Sequence, residues 1–408
     1  MRTVEPTRLV RADWRGLVRK KPAVPGLVLA AWAALVMNAL TFAGVGVLLL
    51  PIPVVVGQLI SQGSLVLALF LALAANQRKL LRPNMFLVLL TVFAILGLMV
   101  SVHNEFVLGS MYRASRFFLF TLVLWLLTPW WGRRDMLLLR CHRYVLWVVL
   151  GTVLIGAAVA PGRAFSFEGR LAGILWPIWP TGVAHVAAIL FGTSVVLWIC
   201  HEITGRHASI ALAISGAVLI ATHTRTAVVG TLVGLVVALV SLFLGHVRAR
   251  RLSAVGVAAA ATAAAFFASG LTTWALRGQS AHQASQLTGR TKAWAAVFDA
   301  ERPKMEELFG SGLSNQSING ISIDSSWVAT FYDLGVLGVV LQAAIFLVLF
   351  AMAATSQRGT QRAAGLFLIG YVLVASLTET GVGTASPYLL DLAVAAAMLS
   401  PPLQRRAT

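Results

Sequence analysis

Residues 277–340 read RGQSAHQASQLTGRTKAWAAVFDAERPKMEELFGSGLSNQSINGISIDSSWVATFYDLGVLGVV. This is the one long interval where Lys, Arg, Asp, Glu, Ser, Asn and Gln accumulate in an otherwise mostly apolar chain. Unsatisfied backbone and charged groups cost several kcal/mol in hydrocarbon, so such an interval belongs outside the lipid. Long loops without structure are either functional or disordered, and this one carries the marks of a fold. Trp294, Val297 and Phe298 fall at i, i+3 and i+4, which gives a short helix an apolar face for the bilayer surface or for the protein. Gly310, Ser311 and Gly312 form a turn, and a new apolar run starts at Trp327. The external loop is expected over 276–325, with chemistry where it meets the membrane.

Outward from that loop, composition sets the class. The chain has 408 residues, 58% hydrophobic and 11% charged, with a mean hydropathy of +0.84. A soluble domain is far less apolar. The net charge of +18 invites a nucleic-acid partner, but the basic residues stand in small clusters between apolar runs. That pattern is one of topology signals and anionic lipid contacts, so the partner read from charge is the lipid bilayer and no nucleic acid. Cys141 and Cys200 fall at inner segment ends, with no disulfide framework or metal-type spacing. The basic stretch Arg2 to Lys21 precedes an apolar run too long for a signal peptide and without a clear small-residue cleavage site, which predicts an uncleaved first helix.

Apolar runs of spanning length, roughly twenty residues, lie near 24–44, 52–75, 85–103, 112–131, 144–160, 171–200, 208–223, 226–245, 254–275, 326–350, 364–382 and 385–403. The expectation is an all-α, polytopic integral membrane protein of about 12 transmembrane helices. It comprises a basic inner N-terminus (1–23), nine spans within 24–275, the external loop, three spans within 326–403 and an inner tail (404–408). With both termini inside, about 22 Lys and Arg fall on the inner side and about 10 on the outer, the bias that orients membrane proteins. The large loop, between spans nine and ten, is then external.

A basic residue on the outer side needs a reason. Arg170 begins the sixth span in EGRLAGILWPIWPTG, Arg225 sits at the tight reversal ATHTRTAVVG, and Arg290 lies in the loop. Any one of these is equally well read as snorkelling to headgroups or closing a helix end. Three at successive external helix ends point to an anion site, because the guanidinium fork suits a diphosphate. Pro177, Pro180 and Gly182 predict a break or kink in the sixth span, lining a cavity or serving packing.

The segments THTRTAVVGTLVGL, GRTKAW, LFGSGLSN and IDSSWVATFYDLGVLG, in this order and topology, resemble the O-antigen polymerase and O-antigen ligase superfamily of bacterial glycan-assembly proteins. The resemblance runs from Arg170 to about Gly338. It implies a GT-C-like glycosyltransferase of the bacterial cytoplasmic membrane with an outward-facing site. Its donor would be a polyprenyl-diphosphate-linked glycan and its acceptor a sugar, with no metal and no cofactor. Residue by residue, it implies that Arg170, Arg225 and Arg290 hold the donor diphosphate.

Where ligases of that superfamily show a His followed by a small polar residue, this chain has Asp324 and Ser325, with Gly335 eleven positions after Asp324. The departure resembles the polymerase type. An external carboxylate at a helix start can take the acceptor hydroxyl's proton, and beside arginines it serves chiefly to orient that hydroxyl. The plain alternative makes Asp324 a helix N-cap, a role that Asp, Ser325 and Ser326 all suit. Glu379 either lines the acceptor site with Ser325 and His223 or neutralises Arg225. Asp333 and Asp391 are acids inside spans, for which arginines are the natural partners. Polymerase-type transfer is favoured, possible partners including a chain-length regulator or other assembly proteins. Ligase-type transfer and a lipid-linked glycan transporter or flippase are the alternatives. A transporter calls for related halves and polar residues near the midplane, whereas here they crowd one face.

Overall fold

Proline and short polar residues cut the apolar sequence into helices. The computed structural model describes residues 24–40, 42, 48–243, 250, 290–314, 316–318 and 320–401. The basic N-terminus, the expected ninth span, the loop's first part (276–289) and the inner tail lie outside the described residues. Pro25 and Pro53, already at φ −59° and −55°, precede α1 (Gly26–Ala39) and α2 (Val54–Ala75). Asn84 caps α3 (Met85–Ser101) by accepting from the Phe86 amide. There follow α4 (Val107–Leu126), α5 (Leu137–Val159), a single turn α6 (Pro161–Ala164) and α7 (Pro180–Ile199). Thr204 caps α8 (Gly205–Ala221), and α9 (Arg225–Phe243) follows after a three-residue reversal. Across the loop come α10 (Arg290–Phe298), α11 (Lys304–Phe309) and a minimal hairpin, β1 (Ser317–Ile318) with antiparallel β2 (Ile321–Ser322). The chain ends in α12 (Ser326–Thr355), α13 (Thr360–Ala375) and α14 (Pro387–Leu399).

α2, α4, α5, α7, α9 and α12 are each long and apolar enough to cross a membrane, and α1, α3, α8, α13 and α14 are shorter apolar helices. The fold is therefore all-α, with the helices of a multi-pass membrane protein. α7 and α14 are central: Leu389 to Leu399 are all buried, and most of α7 is too. Small side chains such as Ala393, Ala395 and Ala396 suit that place, since close packing is what joins helices where lipid is as apolar as leucine. α9 lies on α13 so closely that Gly234 leaves 2.7 Å between a would-be Cβ and the Phe367 carbonyl oxygen. Outward, Leu59 and Phe70 of α2, Val236 and Val240 of α9 and Val340 and Leu347 of α12 are exposed, an apolar surface of the kind that meets lipid.

Two expectations change. The run 171–200 is not one helix: residues 171–179 form turns with a Gly173–Ile178 bridge, and the helix begins at Pro180. Pro180 does not kink a helix but starts one, at the position where its missing N–H costs nothing. The distortion lies instead in α12, where Gly335 (φ 60°, ψ −162°) interrupts the helical backbone. α11 packs there, and Gly310 (φ +82°) passes so near that a Cβ would stand 2.2 Å from the Asp333 carbonyl oxygen. Gly310→Ala is expected to combine a forbidden φ with a backbone clash, a cost on the order of 1–3 kcal/mol. Thermal melting of the detergent-purified protein should show a clear fall, while Gly320→Ala, with open space around its Cβ, should be milder.

Candidate functional site

The polar turns at one end of the bundle are stitched together by the chain's own backbone. The reversal Phe167–Arg170 closes on itself with Glu168 and Gly169 both at positive φ, which aims Arg170 inward. Arg170 is buried, its Nε donating to the Thr222 carbonyl oxygen at 2.9 Å and Nη2 to Thr224 Oγ1 at 3.1 Å. Its guanidinium lies 5.6 Å from the Phe167 ring centre. Two of its five donors are therefore used by protein. Burial pulls its pKa down, against the opposing pull of Glu168 and Glu379. The reversal it grips carries His223, at φ 49°, and leads into half-buried Arg225, the first residue of α9.

A second pair of turns supplies the acids. Ser326 donates its amide to the carbonyl oxygens of Ser376 (2.9 Å) and Glu379 (3.0 Å), and its hydroxyl to Glu379 at 2.9 Å. Trp327 Nε1 donates to Ser376 Oγ at 2.9 Å. These bonds clamp the start of α12 onto the turn after α13, and Thr378 Oγ1 donates to Thr226 Oγ1 at 2.9 Å, joining α9 to both. Ser325, not Asp324, caps α12, its Oγ accepting from the Val328 amide. Asp324 is left outside the cap and partly exposed, accepting from Ser322 Oγ at 2.7 Å.

Arg290, the first residue of α10, stands between the two acids. Its Nε is 3.5 Å from Asp324 Oδ2 and its Nη2 3.5 Å from Glu379 Oε1. Both contacts are long, so the guanidinium bridges the carboxylates loosely. α10 is held by protein: Val297 packs with Ile323, Val328 and Ala329, while Phe298 stacks on Phe331 at 5.5 Å. Burial raises the Glu379 pKa to about 7, with the Asp324 charge adding to the rise and Arg290 and Arg170 opposing it.

The site residues expected from the sequence are Arg170, Arg225, Arg290, Asp324, Ser325, His223 and Glu379. The structure joins Arg290, Asp324 and Glu379 directly, and Arg170 through the shared electrostatics. It places Arg225 and His223 in the adjoining reversal and gives Ser325 to the cap. Glu379 faces Arg290. Among the described residues neither Asp333 nor Asp391 forms an ion pair with an arginine: Asp333 accepts from the Ser314 amide at 3.1 Å, and Asp391 lies between two histidines. Thr222, Thr224 and Ser376 carry no expectation from the sequence, although T-H-T-R is a visible polar interruption between apolar runs, and Ser326 is expected only as a cap. Arg290→Ala should move the Glu379 titration above about 7, because the largest opposing charge is gone. Carbon NMR of the glutamate carboxyls, assigned with Glu379→Gln, reads that shift.

Among known proteins, no family model matches this chain and no curated protein matches it in sequence.

Proposed function

We propose that this chain is a glycosyltransferase of cell-surface polysaccharide assembly, moving glycan units from a polyprenyl diphosphate carrier to an acceptor sugar without a metal ion. It would be a GT-C-like protein of about 12 spans in the bacterial cytoplasmic membrane, with the site facing outward. The observation that carries the reading is Arg290 held between Asp324 and Glu379, beside buried Arg170, at one end of an apolar bundle.

In this reading the acceptor hydroxyl oxygen attacks the anomeric carbon as the bond to the diphosphate oxygen breaks. The electron pair leaves on the diphosphate, whose growing charge Arg170, Arg225 and Arg290 balance. Asp324, partly exposed, orients the incoming hydroxyl. Glu379 takes its proton: a buried carboxyl raised to about 7 is matched to base work near neutral pH. Repeated transfer onto lipid-linked glycan makes a polymerase. Transfer to a separate acceptor makes a ligase, and the Asp at position 324 favours the first.

The full chain in nanodiscs, given a polyprenyl diphosphate oligosaccharide with EDTA present, should yield a ladder of longer lipid-linked glycans. Asp324→Ala and Arg225→Ala should abolish it. The wild-type rate should fall as pH drops through about 7, since the base is lost on protonation. Glu379→Gln should lower kcat/KM by roughly 10²–10⁴-fold and remove that limb of the profile. A single shift onto a separate acceptor would make it a ligase. No transfer, with movement of labelled lipid across vesicles instead, would replace the enzyme by a transporter.

A further inference from the structure

A second cluster of ionisable groups lies within the helices. His142 of α5, His185 of α7 and Asp391 of α14 are 1%, 2% and 0% exposed. Their contacts set the proton count. Trp32 Nε1 of α1 donates to His142 Nδ1 at 3.1 Å. An indole N–H only donates, so Nδ1 must carry a lone pair. His142 is thereby the neutral Nε2–H tautomer, and it donates to Asp391 Oδ1 at 2.8 Å. It holds the carboxylate without bringing a charge.

The other half of the cluster is unfinished. Asp391 Oδ2 and His185 Nε2 face each other at 3.2 Å, and His185 Nδ1 lacks a hydrogen-bond partner among the described residues. Buried polar atoms are ordinarily paired, so the unpartnered His185 Nδ1 calls for a cause. Among the described residues no arginine pairs with Asp391: Arg143, next to His142, donates to Thr193 Oγ1 at 2.5 Å and Ser194 Oγ at 3.1 Å. The remaining neighbours are Tyr388 of α14, with its ring 4.4 Å from His185, and Tyr371 of α13, at 5.5 Å. Both tyrosines also feel Glu379 of the outward turn. A lone carboxylate is costly inside a membrane, which favours a proton on Asp391 or on His185, and the same contact can hold it on either.

We propose that Asp391 and His185, with His142 and Trp32 holding the carboxylate, form an intramembrane site that binds and releases a proton. The proton rests on the carboxyl or on the imidazole and exchanges with water, with no change in oxidation state. His185 Nδ1, unbonded beside two phenols, is the nitrogen through which it passes. Acids and histidines at this depth are the parts from which proton relays are built, and the outward cluster makes no direct use of them.

Nitrogen NMR of the full chain labelled at histidine and embedded in nanodiscs tests this. One imidazole, assigned by its loss in His185→Gln, should change protonation state across the pH range over which the chain stays folded. The His142 signal, assigned by His142→Gln, should stay in the neutral Nε2–H form. Trp32→Phe frees His142 Nδ1, and a second imidazole should then titrate. If His185→Gln does not assemble, Tyr388→Phe supplies the assignment by altering the ring against His185. A His185 signal unchanged over the whole range, in wild type and in Trp32→Phe, would overturn the proposal, as would a His142 that titrates in wild type.

Discussion

The bonds from Ser326 to the carbonyl oxygens of Ser376 and Glu379 are what the polar end of the bundle depends on. They satisfy backbone groups that hydrocarbon could not, at the point where α12 starts and α13 has ended. In doing so they set Asp324, two residues before Ser326, opposite Glu379, whose own carbonyl is one of the acceptors. The side chains that meet Arg290 are thus placed by a backbone clamp rather than by their attraction for the arginine. That matters because the two ionic contacts are long and partly open to water, and such pairs hold little geometry by themselves.

Charge and burial act together around that clamp. Arg170 is committed to Thr222 and Thr224, which makes it a fixed post of positive potential, whereas Arg290 shares itself between two carboxylates. Burial raises Glu379 while the arginines restrain the rise. The result is two carboxyl groups with different environments on one guanidinium, an arrangement suited to dividing orientation from proton transfer. Deeper in, the same low dielectric acts on Asp391, whose partners are imidazoles rather than guanidinium groups.

Much of this was legible in the residues. The helices α2, α3, α9 and α12 start or end close to the limits of their apolar runs, because a spanning segment announces itself by length and by absence of charge. Boundaries failed where the apolar run and the helix were different things. Most of residues 171–178 are apolar because they are buried, not because they are helical, and hydropathy cannot separate the two. Asp324 and Ser325 were equally good caps on type alone; backbone direction at the start of α12 chose Ser325. The grouping of Arg170, Arg290, Asp324 and Glu379 was visible only as a common side of the membrane.

By itself, the sequence determined that this is an apolar, helical, many-times-crossing chain with its exceptional polar residues gathered at helix ends. That follows from the cost of polar groups in lipid, which acts on each segment separately. Only the tertiary structure decided who meets whom: Glu379 with Arg290 across 89 positions, His142 with Asp391 across 249, and Trp32 with His142 across 110. Those pairings arise from helix packing, and helix packing depends on the shapes of faces that no single segment records.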